Sequence, residues 1–230
     1  MSPLIQMDDK GEEKMGKAAN SSISLKQIHV TDNFWNKYVH LVKDVIIPYQ
    51  WDILNDKLED VETSHCIENF KIAAGEKEGE FQGAVFQDTD VAKWLEAVGF
   101  VLNYERDEKL EELADETIEL IGRAQQPDGY LNTYFTIKEP DGRWSNLMEG
   151  HELYTAGHMI EAAVAYYEAT GKRRFLEIVS KFADLVCQTF GPEEGKIHGY
   201  PGHQEIELAL VKLYRVTREK KYLDLAKYFI

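Results

Sequence analysis

The chain has 230 residues, with 26 Lys+Arg against 41 Asp+Glu and a formal charge of −15. A chain this acidic lacks the basic face that a phosphate backbone or an anionic membrane surface demands, so neither nucleic acid nor membrane is expected as a partner. Its 43% hydrophobic and 29% charged residues are those of a globular chain able to bury a core.

Met1–Ser22 is polar and has no apolar h-region, so it reads as a mobile leader rather than a secretory signal. Residues 23–230 then form one helical region. Asp32 suits an N-cap, and Trp35, Val39, Val42, Val45 and Ile46 follow at helical spacing. Pro48 should kink or restart that helix, with Trp51, Leu54 and Leu58 extending its apolar stripe. A second helix is expected over 64–74, ended by Gly75. FQGAVFQDTD reads as a loop, with Asp88 or Asp90 capping the helix that follows.

From there a pattern repeats. Helices are expected over 90–104 and 109–124, then 153–170 and 173–190, then 205–217 and 220–230, each pair joined by a short turn. The last two pairs align at an offset of 47, matching Tyr167 with Tyr214, Thr170 with Thr217 and Phe182 with Phe229. Each pair is a hairpin that cannot bury its own apolar face, so neighbours must stack. The first helix of a pair is rich in small apolar residues (Ala162, Ala163, Ala165; Ala209) and the second carries more charge, as an inner and an outer helix would.

The connections between pairs are long and aromatic, and long loops gathered at one end of a repeat array are where binding sites are built. Irregular repeat length and these loops favour a closed helical toroid over an open solenoid. A closed toroid needs about twice the hairpins counted here, and no stop signal follows Lys220, so the chain is expected to be the N-terminal part of an all-α (α/α)6 toroid. An incomplete toroid should expose apolar surface around Ala209, Leu210 and Leu213 and could oligomerise through it.

HELYTAGH (151–158) resembles a zinc-protease motif only superficially, because its histidines are seven residues apart rather than four. His151 and His203 instead occupy equivalent junctions between a long loop and an inner helix, so both should point into one cavity. His158 and Glu161 read as a packed or hydrogen-bonded pair. Phe86, Gln87 and Asp88, with Tyr130, Tyr134 and Tyr200, mix rings with polar tips as sugar sites do, although Pro127-Asp128-Gly129 is a strong turn in its own right. Cys66 and Cys187 stand far apart, outside any CxxC pair, and read as buried thiols in a soluble, reducing, cytoplasmic protein.

IPYQWDILND (47–56), FKIAAGE (70–76), VFQDTDVAKWLEA (85–97), RAQQPDGYLNT (123–133), HELYTAGHMIEAAVAYYEATG (151–171) and FGPEEGKIHGYPGHQEIELALVKLY (190–214) resemble glycoside hydrolase family 127 in order and spacing. The resemblance implies a retaining, exo-acting β-L-arabinofuranosidase with a cysteine thiolate nucleophile, a glutamate acid/base and a zinc ion held by cysteines and a glutamate. It implies that His151 and His203 hydrogen-bond the sugar and that Phe86, Gln87 and Asp88 lie in a patterned loop. The family's nucleophile, acid/base and zinc ligands fall C-terminal to the matched region. Catalytic and metal residues are therefore not expected within 1–230, and the chain should carry part of a sugar pocket. A non-catalytic carbohydrate-binding toroid, or another toroid enzyme such as an unsaturated glucuronyl hydrolase, are the competing readings.

Overall fold

The computed structural model describes residues 23–230, so the polar leader expected over 1–22 lies outside the described residues. Among those described, the chain is helical, with one isolated bridge between Phe190 and Ile197. The helices are α1 (Asn33–Leu41), α2 (Ile47–Leu54), α3 (Cys66–Ala73), α4 (Asp88–Tyr104), α5 (Glu108–Ala124), α6 (Thr133–Ile137), α7 (Glu152–Thr170), α8 (Arg174–Thr189), α9 (Ile206–Thr217) and α10 (Lys220–Phe229).

The ends of these helices follow local chemistry. The Asp32 carboxylate accepts from the amides of Phe34 and Trp35, and Asp107 accepts from those of Lys109 and Leu110. Gly171 closes α7 at φ +76°, a conformation that costs glycine nothing. Between α1 and α2 a π-helical turn spans Val42–Ile46, and Pro48 falls in the first turn of α2, directly after this wider turn.

The expected apolar stripe on this first segment is not a buried one. Ile47 and Leu54 are in the core, but Trp35 is 61% exposed and Val45 also faces solvent. The expected caps of α4 are corrected too. Gln87 holds the N-cap position without a side-chain bond, while Asp88 begins the helix and is buried.

Helices α4, α7 and α9 pack side by side as an inner row, and α5, α8 and α10 follow each of them on the outside. Helix α7 is the centre of this arrangement, lying against α4, α8 and α9. Its residues are buried from Glu152 to Tyr166, apart from the partly covered Tyr154 and His158. Two glycines let its neighbours come this close. A Cβ on Gly99 of α4 would meet the Ala165 carbonyl carbon and the Tyr166 nitrogen at 2.9 Å. One on Gly157 of α7 would lie 3.0 Å from the Ile206 nitrogen at the start of α9.

Ala209, Leu210 and Leu213, expected to be exposed, are fully buried against these neighbours. On α9 the exposed apolar residue is Leu208. No helix among the described residues is long and apolar enough to cross a membrane.

The close approach at Gly99 is directly testable. Gly99→Ala forces a methyl group into backbone atoms that cannot swing aside, and overpacking of this kind costs about 1–3 kcal/mol. The urea midpoint of the variant should fall accordingly. An unchanged midpoint would show that α4 and α7 separate without cost.

Candidate functional site

The loops that enter α4, α7 and α9 meet at one end of the inner row. There the imidazole rings of His151 and His203 face each other with centroids 4.6 Å apart, tilted by 38°. Phe86, in the loop before α4 and 41% exposed, lies 5.1 Å from the His151 ring. Tyr154, one turn into α7, stands edge-on to His151 at 5.8 Å and reaches His203 at 5.5 Å. Lys93 of α4 donates to the Tyr154 hydroxyl and to Thr89 Oγ1, both at 3.2 Å. The result is a cluster of two imidazoles and two aromatic rings, with an ammonium beside Tyr154.

His151 is held in an unusual way. It is the N-cap residue of α7 at φ +54°, in the left-handed region that a side chain seldom adopts. Its Nδ1 lies 2.6 Å from the Glu149 carbonyl oxygen. A carbonyl only accepts, so Nδ1 carries the proton in this contact, and Nε2 is the ring atom left to meet a hydroxyl.

The strained turn is fixed by the next residue. Glu152 is buried, its Oε1 accepting from the Tyr130 hydroxyl at 2.5 Å and its Oε2 from the Trp144 amide at 2.7 Å. One carboxylate thus ties both ends of the 125–150 loop to the first turn of α7. Burial pushes its pKa up to about 7, against the pull of the two donors.

Asp88 ties the same 125–150 loop to the first turn of α4. Its oxygens accept from the Thr133 amide at 2.7 Å and the Thr133 hydroxyl at 2.5 Å, and burial raises its pKa to about 6. Asp88 is 1% exposed and its oxygens are occupied, so it braces the site rather than meeting a ligand.

Other expected site residues separate. Tyr130, expected to line the cavity, is fully buried under Trp144 and Phe182, with the Arg143 guanidinium 3.9 Å from its ring centroid. Its position follows from the Glu152 bond, which only a buried hydroxyl could make. The Gln87 amide is committed to protein partners, accepting from the Ala84 amide and donating to Asp90 of α4 and to Ser64 before α3. Tyr200 is exposed and stacks on Tyr228 at 5.4 Å, in a groove of about 580 Å³ shared with Gln204, Glu207 and Leu208. Tyr134 donates to Glu139 and packs on Phe81.

Sequence reading missed Tyr154 and Lys93. A usable signal was present: positions 151, 154 and 158 recur at helical spacing and so share one face of α7.

The cysteines do not make a thiolate–zinc set. Cys66 is buried, its thiol donates to the Gln87 carbonyl at 3.3 Å, and burial pushes its pKa up. Burial also pushes Cys187 up to about 12, and its Sγ is directed at the Lys221 carbonyl. A metal-binding or nucleophilic thiol needs the opposite shift.

Comparison with known proteins agrees with this architecture. Residues 27–230 match the profile described as the β-L-arabinofuranosidase GH127 catalytic domain. A non-reducing end β-L-arabinofuranosidase of Bifidobacterium longum subsp. longum is 46% identical over 219 residues, covering 88% of this chain and 33% of that protein. The crystal structure of a GH127 β-L-arabinofuranosidase from Geobacillus stearothermophilus T6 superposes with a TM-score of 0.86 at 64% identity, over 87% of this chain and 32% of that one. A second solved structure, a GH127 β-arabinofuranosidase, gives a TM-score of 0.83 at 39% identity over 90% of this chain and 33% of its own. The helical hairpins are therefore part of an (α/α) toroid, and the chain belongs to glycoside hydrolase family 127. It spans about a third of the length of these relatives.

The Glu152 tie has a defined pH signature. The folded chain holds this proton more tightly than the unfolded chain does. Its contribution to stability therefore falls as pH rises from about 4.5 to about 7, and is level above that. Glu152→Gln should flatten that part of the profile relative to the parent chain. Glu152→Ala should cost about 1–3 kcal/mol for each donor it strands. Urea unfolding across this pH range checks both, and a Gln variant as pH-sensitive as the parent would contradict the assignment.

Proposed function

We propose that the chain supplies part of the sugar pocket of a retaining, exo-acting β-L-arabinofuranosidase. His151 and His203 would hydrogen-bond the hydroxyls of a terminal arabinofuranosyl residue. The observation that carries this reading is the pair of facing imidazoles at the ends of adjacent inner helices, in a chain that belongs to this family.

A furanose has a polar rim and apolar C–H faces. The His151 Nε2 can meet one hydroxyl, and the His203 ring reaches a second. The exposed Phe86 ring and the Tyr154 ring offer surfaces for the C–H faces. Lys93 donates to the Tyr154 hydroxyl and so orients it. Glu152 and Asp88 lock the 125–150 loop against the first turns of α7 and α4, so the donors and acceptors are pre-placed before the sugar arrives.

No bond-breaking step is assigned to Cys66 or Cys187, whose raised pKa values oppose thiolate formation. Two free thiols suit a reducing, cytoplasmic setting.

The test is calorimetric titration of the chain with methyl β-L-arabinofuranoside. Binding is expected, and His151→Ala and His203→Ala should each weaken it about 2- to 10-fold, the worth of one neutral hydrogen bond. Cys66→Ser should leave it unchanged. Failure to bind the furanoside, or binding indifferent to both histidines, would overturn the reading.

A further inference from the structure

Two turns below His151, the inner row holds a second cluster that the sugar pocket does not use. His158 and Glu161 on α7 and Glu205 at the entry to α9 each offer a ligand atom, and these atoms all lie within 4.8 Å of one another. His158 Nδ1 is 3.4 Å from Glu205 Oε1. Metal–ligand bonds of about 2.0–2.2 Å in a tetrahedral arrangement would put neighbouring ligand atoms about 3.4 Å apart.

The cluster's polar atoms are shielded from solvent and incompletely bonded, although His158 and Glu205 are themselves only partly buried. Both ring nitrogens of His158 and Oε1 of Glu205 have no hydrogen-bond partner among the described residues. Buried polar atoms are nearly always paired, so each of these calls for an occupant.

The ammonium that reaches this group is Lys212, which contacts Glu161 Oε1. It leaves the imidazole and the Glu205 oxygen unsatisfied. The expected His158–Glu161 pair is a packed one, with no hydrogen bond between the two side chains: Glu161 contacts Lys212, and His158 turns towards Glu205.

We propose that His158, Glu161 and Glu205 bind a divalent cation of the zinc type, with Lys212 retaining its oxygen of Glu161. One imidazole nitrogen and two carboxylates form a nitrogen–oxygen donor set that suits zinc better than calcium or magnesium, which prefer all-oxygen shells. A fourth position would be filled by water. Such an ion would bridge α7 to α9 beneath the Tyr154 ring, which lies 4.5 Å from the ring of His158 and 5.5 Å from that of His203. It would thereby fix the spacing of the two pocket histidines.

The test uses the 230-residue chain stripped with a chelator and titrated with zinc by calorimetry, with cobalt as a spectroscopic substitute. One equivalent of zinc should bind and raise the melting temperature. Cobalt should give visible ligand-field bands without the near-ultraviolet charge-transfer band of a thiolate. His158→Gln and Glu205→Gln, each checked for helicity by circular dichroism, should weaken zinc binding at least about tenfold. Cys187→Ser should not. Absence of stoichiometric binding, a thiolate band with cobalt, or binding that survives in either correctly folded variant would overturn the proposal.

Discussion

Helix α7 is enclosed along most of its length, and that enclosure governs what the rest of the chain can do. A helix packed by α4, α8 and α9 has no solvent face on which to place polar groups. Each polar group it carries must be small, paired or functional. Glu152 is paired with Tyr130 and Trp144, and Glu161 with Lys212. His151 is left at the open end, and His158 is left partly covered, its ring nitrogens without a hydrogen-bond partner among the described residues. The imidazole pair and the cluster below it both follow from one helix with no spare surface.

The same constraint links packing to chemistry. Gly99 and Gly157 bring α4 and α9 close enough to α7 for their entry loops to converge. Convergence places Phe86, His151 and His203 together, although 117 positions separate the first from the last. The loop between α5 and α7 could swing freely on its own. The Glu152 carboxylate pins it at Tyr130 and Trp144, and that bond holds the left-handed turn at His151 in place.

The long helices were legible in the sequence because hydrophobic periodicity depends only on nearby residues. The ranges expected for α4 to α10 agree with the structure to within a residue or two, apart from the short α6. The meeting of His151 and His203 was legible for a related reason, since both occupy the same junction in successive repeats. Features set by partners distant in sequence were not legible. Tyr130 is drawn into the core by Glu152, 22 positions away, and Lys93 meets Tyr154 across 61 positions. The π-helical turn before Pro48 and the bracing role of Asp88 likewise depend on where the chain lands rather than on local pattern.

The central claim is that His151 and His203 form one binding face. The most direct measurement is to follow the imidazole nitrogens of ¹⁵N-histidine-labelled chain by NMR during titration with methyl β-L-arabinofuranoside. The account predicts that the His151 and His203 resonances move together and saturate at a single affinity, while exposed His198 stays still. Movement of His198 alone, or of neither pocket histidine, would contradict it.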